Sequence, residues 1–182
     1  MTSLAAVLLA GPPATGKSTL AMALAPRLDA ALLDLDTATG PLTRVVSGLA
    51  GVADLDDPVL AGLTRAARYE TLLGLAEENL AAGRPVVLVA PFSAERADPV
   101  AWSAVTQRLP APAVMVWLHL APGELVRRLT GRALARDETK IGDPAAYLAG
   151  LDLAPPAVPH LAVDAAQPTA AQVLEVLGHL SQ

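Results

Sequence analysis

The stretch Gly11-Pro12-Pro13-Ala14-Thr15-Gly16-Lys17-Ser18 decides the fold. It satisfies G-x-x-x-x-G-K-[ST] at every required position, and its flanks supply the context in which that pattern has a mechanism. An apolar run, Leu4 to Ala10, feeds the loop, and a helix-forming run, Leu20 to Leu28, leaves it. Glycines at both ends permit backbone conformations closed to other residues, so that successive N–H groups can turn inward around a phosphate. The helix that follows presents its positive end to the same phosphate. Lys17 is placed to reach the outer phosphates and the Ser18 hydroxyl to ligate a magnesium ion bridging them. The expected ligand is ATP with magnesium, held by Gly11, Ala14, Thr15, Gly16, Lys17, Ser18 and the adjoining Thr19.

Outward from the loop, short Val/Leu/Ala runs alternate with longer helical stretches, the pattern of a parallel sheet covered on both faces. Strands are expected at Leu4–Ala10, Ala30–Leu35, Pro85–Ala90, Ala113–Leu120 and His160–Val163. Helices are expected at Lys17–Leu28, Pro58–Ala82, Asp98–Leu109, Pro122–Thr130 and Thr169–Leu180. Asp57-Pro58 and Asp98-Pro99 join a capping carboxylate to a proline in the first turn, where no donor is needed. Two stretches, Thr37–Asp56 and Gly131–Pro159, read as flaps. Residues 1–182 are expected to form one α/β domain, with an arginine-rich lid at about 128–145.

Composition narrows the function. The chain of 182 residues is 53% hydrophobic, 17% charged and formally −5. A net acidic chain offers no broad basic surface for nucleic acid. Cysteine is absent, which excludes disulfides, thiolate metal sites and cysteine nucleophiles. No apolar run approaches the roughly 20 residues that span a bilayer, so a cytoplasmic protein with no membrane partner is expected.

Leu33-Asp34-Leu35-Asp36 closes the second expected strand at the sheet edge that faces the ligand crevice in open parallel sheets. Alternation along a strand would put Asp34 and Asp36 on one face. Two carboxylates there suit two tasks, taking a proton from an attacking hydroxyl and holding magnesium or its waters. Asp36 is assigned as base and Asp34, with Ser18, to the metal; either could instead cap the turn at Thr37–Gly40. No carboxylate follows Val86–Ala90, which weighs against a motor or switch NTPase.

Arg128, Arg132, Arg136 and Lys140 are spaced by four and would share one helix face. Arg132 and Arg136 are expected to neutralise charge on a phosphoryl group in transit, and Arg128 to meet the nucleotide. Arg65, Arg68, Tyr69 and Glu70 on the long middle helix, and Pro91, Phe92, Ser93, Glu95 and Arg96 after the third strand, are candidates to touch an acceptor. Of these, Arg68, Tyr69 and Phe92 are assigned with Asp36 to the substrate.

On Gly11–Ser18, Asp36 and the arginine segment, the chain resembles the small kinases of the P-loop superfamily: gluconate kinase, shikimate kinase, chloramphenicol phosphotransferase and the zeta toxins. The resemblance implies a three-layer P-loop NTPase fold with a five-stranded parallel sheet ordered 2-3-1-4-5, a lid, and ATP-dependent phosphorylation of a small hydroxyl compound. It also implies that Asp36 is the base. A nucleoside or nucleotide kinase and a nucleotide-binding regulatory protein are the alternatives.

Overall fold

A computed structural model describes residues 5–54, 57–131 and 150–181. Five strands form one parallel sheet in the order β2-β3-β1-β4-β5. They are β1 (Ala6–Ala10), β2 (Ala31–Asp34), β3 (Val86–Val89), β4 (Ala113–His119) and β5 (His160–Asp164). β1 and β3 are buried throughout, which explains their unbroken apolar sequence: a strand covered on both faces has no solvent side to alternate toward.

The helices are α1 (Lys17–Leu24), α2 (Leu35–Ala50), α3 (Pro58–Ala81), α4 (Ser93–Ala97), α5 (Pro99–Arg108), α6 (Pro122–Thr130) and α7 (Thr169–Leu180). One face of the sheet packs against α1, α6 and α7 through Leu20, Leu24, Leu125, Leu129, Val173 and Val176. The other packs against α3 and α5 through Leu72, Leu73, Leu80, Val105 and Leu109. Asp57 and Asp98 cap α3 and α5 as expected, accepting the Val59 and Val100 N–H groups at 2.7 and 2.9 Å. α1 stops at Leu24, four residues short of the expected end. Pro26 lacks the N–H that would continue the ladder, and the chain tightens into a 3-10 turn at Ala25–Arg27.

The expected flap at Thr37–Asp56 is corrected by α2. Gly40, Pro41 and Gly48 argue locally against a helix, yet Leu35–Ala50 is helical from its Asp34 N-cap to its Gly51 C-cap. The buried face of α2 carries Leu35, Thr39, Thr43 and Ser47, spaced by four. The Thr39 and Thr43 hydroxyls donate to the Leu35 and Thr39 carbonyls one turn back, which satisfies them on a buried face. Docking on α3 overrides local propensity.

Among the described residues, no helix is long and apolar enough to cross a membrane. The expected lid lies mostly outside the described residues; its first positions, 128–130, are the last turn of α6.

Candidate functional site

The loop between β1 and α1 has the backbone its glycines foretell. Gly11 has φ +151°, and a Cβ there would lie 2.6 Å from the Leu118 carbonyl oxygen. Gly16 has φ +90° and occupies the N-cap of α1, with no side-chain cap on the first turn. Ala14 is also left-handed, at φ 62°, a conformation that L-residues adopt only where the surroundings impose it. Thr15 is buried and fixes the loop by donating to the Pro12 carbonyl at 2.8 Å. The Lys17 ammonium donates to the carbonyls of Gly11 and Pro12 at 2.8 and 2.9 Å, so its charge is folded over the loop. Thr19 is exposed on the first turn of α1.

β2 delivers Asp34 to this loop. The Ser18 hydroxyl donates to Asp34 Oδ2 at 2.9 Å. The other oxygen, Oδ1, accepts the Asp36 and Thr37 N–H groups at 3.0 and 3.1 Å, the bonding of an N-cap carboxylate. The strand therefore ends at Asp34, and Asp36 stands in the first turn of α2. That corrects the expectation that Asp34 and Asp36 share a strand face. A helix-capping aspartate redirects the chain before the alternation can reach residue 36.

Asp36 keeps 63% of its side chain exposed and pairs with Arg68 at 2.6 Å. Arg68 Nε donates to the Thr39 hydroxyl at 2.9 Å, so α2 and α3 together hold the guanidinium against the carboxylate. Thr39 is a site residue absent from the sequence reading, which places no helix there; its i+4 relation to Leu35 and Thr43 is the available signal.

Arg128 emerges from α6 over the loop. Its guanidinium donates to the Ala165 carbonyl at 2.7 Å and to the Thr15 carbonyl at 3.5 Å. It thus spans the phosphate loop and the turn after β5. Arg132 and Arg136 lie outside the described residues.

One substrate assignment is corrected. Phe92 is wholly buried, and Tyr69 is 9% exposed. Their rings meet edge to face at 5.9 Å, and the Phe92 N–H donates to the Tyr69 hydroxyl at 3.0 Å. Phe92 adopts φ 46°, so the pair clamps a left-handed turn between β3 and α4. Phe92, sunk in the core, cannot read a ligand; its work here is to hold the turn. Burial first, and then the Glu95 carboxylate, push the Tyr69 hydroxyl up to about 12.

Arg96 is also structural. It is buried, stacks over Trp117 at 4.8 Å and donates to the Asp152 carboxylate and to the Asp152 and Ala154 carbonyls. A backbone N–H bond from Ala154, and then Arg96, hold the Asp152 carboxyl below its usual range.

The oxygens of Ser18 and Asp34 suit magnesium, a hard cation that keeps several waters and takes few protein ligands. Among the described residues no cluster of three or more His, Cys, Asp or Glu could cage a metal, so an ion here would be shared with phosphate and water.

The AAA domain family matches residues 7–150, most of the chain and every element just described from β1 to α6. The chain belongs to this family. No curated protein matches it. Among solved structures, this AAA domain chain is similar to a candidate kinase of Chloroflexus aurantiacus, 24% identical over 100% of this chain and 98% of that one, with a TM-score of 0.70. A gluconokinase of Sinorhizobium meliloti is 22% identical over 100% and 94%, with a TM-score of 0.59. An APS kinase of Mycobacterium tuberculosis, solved with AMPPNP and APS, is 18% identical over the whole of both chains, with a TM-score of 0.68. The fold of this AAA domain is that of the small P-loop kinases, as the resemblance implied.

Proposed function

We propose that the protein is an ATP-dependent phosphotransferase that moves the γ-phosphoryl group to a hydroxyl of a small molecule. The observation that carries this reading is the short bonded path from the phosphate loop to an exposed carboxylate. Ser18 bonds Asp34, and Asp34 bonds the backbone N–H of Asp36. The phosphate loop and the carboxylate proposed as acceptor base are thereby linked through one aspartate. The APS kinase solved with a nucleotide analogue and APS lends support, since the shared fold accommodates a nucleotide and a second small molecule together in that protein.

In the proposed reaction the acceptor oxygen attacks the γ-phosphorus, forming the new P–O bond as the bond to the β,γ-bridging oxygen breaks and ADP leaves. The hydroxyl proton passes to Asp36. Arg68 positions that carboxylate, and Lys17 leaves the loop carbonyls to accompany the outer phosphates. Gly11, Ala14, Thr15, Gly16 and Thr19 line the nucleotide, with Arg128 beside it, and Arg132 and Arg136 supply further positive charge to the transferring group. Magnesium, held by Ser18 and by Asp34 directly or through water, would neutralise charge on the phosphates. The acceptor is a metabolite, sugar or antibiotic alcohol rather than a nucleic acid.

The test is ATP consumption in the presence of a panel of sugars, metabolite alcohols and antibiotic alcohols, for wild type, Lys17→Ala and Asp36→Asn. An acceptor that raises turnover in the wild type, with both variants losing that increment, supports the reading. Turnover that no acceptor raises above the level Lys17→Ala removes would favour a nucleotide-binding regulator. Full transfer by Asp36→Asn would dismiss Asp36 as base.

A further inference from the structure

Asp36 and Thr39 stand at i and i+3 on α2 and so share a face of that helix. Arg68 of α3 reaches both with one edge of its guanidinium. Its Nη2 donates to Asp36 Oδ1 at 2.6 Å, and its Nε donates to the Thr39 hydroxyl at 2.9 Å. Two contacts from one rigid planar group fix its orientation, whereas either contact alone would leave it free to swivel.

The two contacts differ in strength. The Asp36 side chain is largely exposed, and an ion pair open to water gains little from charge alone, because water competes for both partners. Thr39 is buried, and its hydroxyl donates to the Leu35 carbonyl at 2.6 Å. With its proton committed there, the oxygen is fixed as an acceptor toward Arg68 Nε. Losing that buried partner costs more than losing an exposed one. The other buried hydroxyls on these two helices, Thr43, Ser47 and Thr64, donate to backbone carbonyls. Among the described residues, Thr39 alone of the four also accepts a side-chain donor. The guanidinium is therefore anchored at Thr39, and the carboxylate follows it.

We infer that Thr39 is a positioning residue for phosphotransfer: it orients Arg68 and, through Arg68, the carboxylate of Asp36. The inference rests on the proposed role of Asp36 as base. A base must come within roughly 2.6–3.2 Å of the oxygen it deprotonates, and an exposed carboxylate holds such a place only when something selects one of its rotamers. The chemistry asks for a hydroxyl at residue 39. Valine has the shape of threonine but cannot accept from Nε, and serine can.

The experiment compares wild type, Thr39→Val, Thr39→Ser, Arg68→Ala and the double variant Thr39→Val with Arg68→Ala. Transfer from ATP is measured with a pool of sugar, metabolite and antibiotic alcohols as acceptors, and the Arg68 Nε–H is read directly by ¹⁵N NMR through its exchange with water. Thr39→Val is expected to lower kcat about tenfold, the kinetic scale of one hydrogen bond to a charged group, with the KM for ATP unchanged and Nε–H exchange faster. Thr39→Ser should restore both, and in the Arg68→Ala background Thr39→Val should add nothing. The role is overturned if Thr39→Val transfers at the wild-type rate, if Thr39→Ser fails to rescue, if Nε–H exchange is unaltered, or if the loss recurs undiminished without Arg68, which would mark a defect of the fold. Wild type that transfers to no acceptor, with Nε–H exchange still responding to Thr39→Val, would instead remove the phosphotransfer reading, and the role of Thr39 in it, while the contact stands.

Discussion

The loop side of the crevice and the side facing it, formed by α2, α3 and the turn after β3, are held by different means. At Gly11–Ser18 the backbone does the work. Positive φ at Gly11, Ala14 and Gly16 and an uncapped α1 N-terminus make a cradle whose shape owes little to side-chain identity beyond Thr15, Lys17 and Ser18. Across from it, side chains on helices bond one another: Arg68 with Asp36 and Thr39, and Tyr69 with the Phe92 N–H. A backbone cradle suits a ligand group common to many proteins, the phosphate. A helix-borne side-chain lattice can be rewritten residue by residue, and suits the variable partner.

Substitutions on the two sides should differ in kind and in size. Lys17→Ala should lower phosphotransfer by about a thousandfold, the scale of losing a charge-stabilising donor, in steady-state kinetics with any active acceptor. If Asp36 is the base, as proposed, Asp36→Asn should lower kcat by about a hundredfold with the KM for ATP unchanged; a raised KM for ATP would place Asp36 with the nucleotide. Gly11→Ala should cost about 2–3 kcal/mol from strain at positive φ together with the 2.6 Å approach to Leu118. Thermal denaturation should show it as a fall of roughly 2–4 °C per kcal/mol.

Smaller effects belong to the helical side. Tyr69→Phe should cost about 1 kcal/mol, one hydrogen bond to the Phe92 turn. It should also change the alkaline limb of stability. The Tyr69 hydroxyl, pushed up to about 12 by burial, keeps its proton in the fold above the value of about 10 at which a free tyrosine loses it. Its contribution is therefore complete below pH ~10 and lost as pH rises toward ~12; the variant should show a shallower decline there in denaturant titrations. Gly48→Ala should do the reverse of Gly11→Ala. Gly48 lies within α2, and a methyl group added there would have open space for 4 Å around it, so alanine should add about 0.5–1 kcal/mol.

The same division governs what is legible in the sequence. Gly11, Gly16, Lys17 and Ser18 announce their conformation and chemistry together, and the alternation of buried strands with capped helices announces the sheet. The loop can be read because glycine encodes backbone shape directly. α2 cannot, because Gly40 and Pro41 report local preference while the helix is secured by Asp34 at its start and by packing on α3. Asp36 stands out in the sequence but reads as a strand residue, since nothing local says that Asp34 turns the chain. Phe92 resembles a ligand contact because it follows the carboxyl edge of the sheet; only the packed structure shows its ring buried against Tyr69. Arg96 is a similar case, a charge whose partners 56 and 58 residues away cannot be foreseen from its neighbours.

The proposed transfer itself is tested most directly by following the γ-phosphate. ATP labelled at that position is incubated with the protein, magnesium and a mixed pool of small hydroxyl compounds, and the products are separated as inorganic phosphate and phosphate esters. The label is expected in a phosphate ester with wild type and in none with Lys17→Ala. Label released only as inorganic phosphate, at a rate that no member of the pool alters, would contradict phosphotransfer.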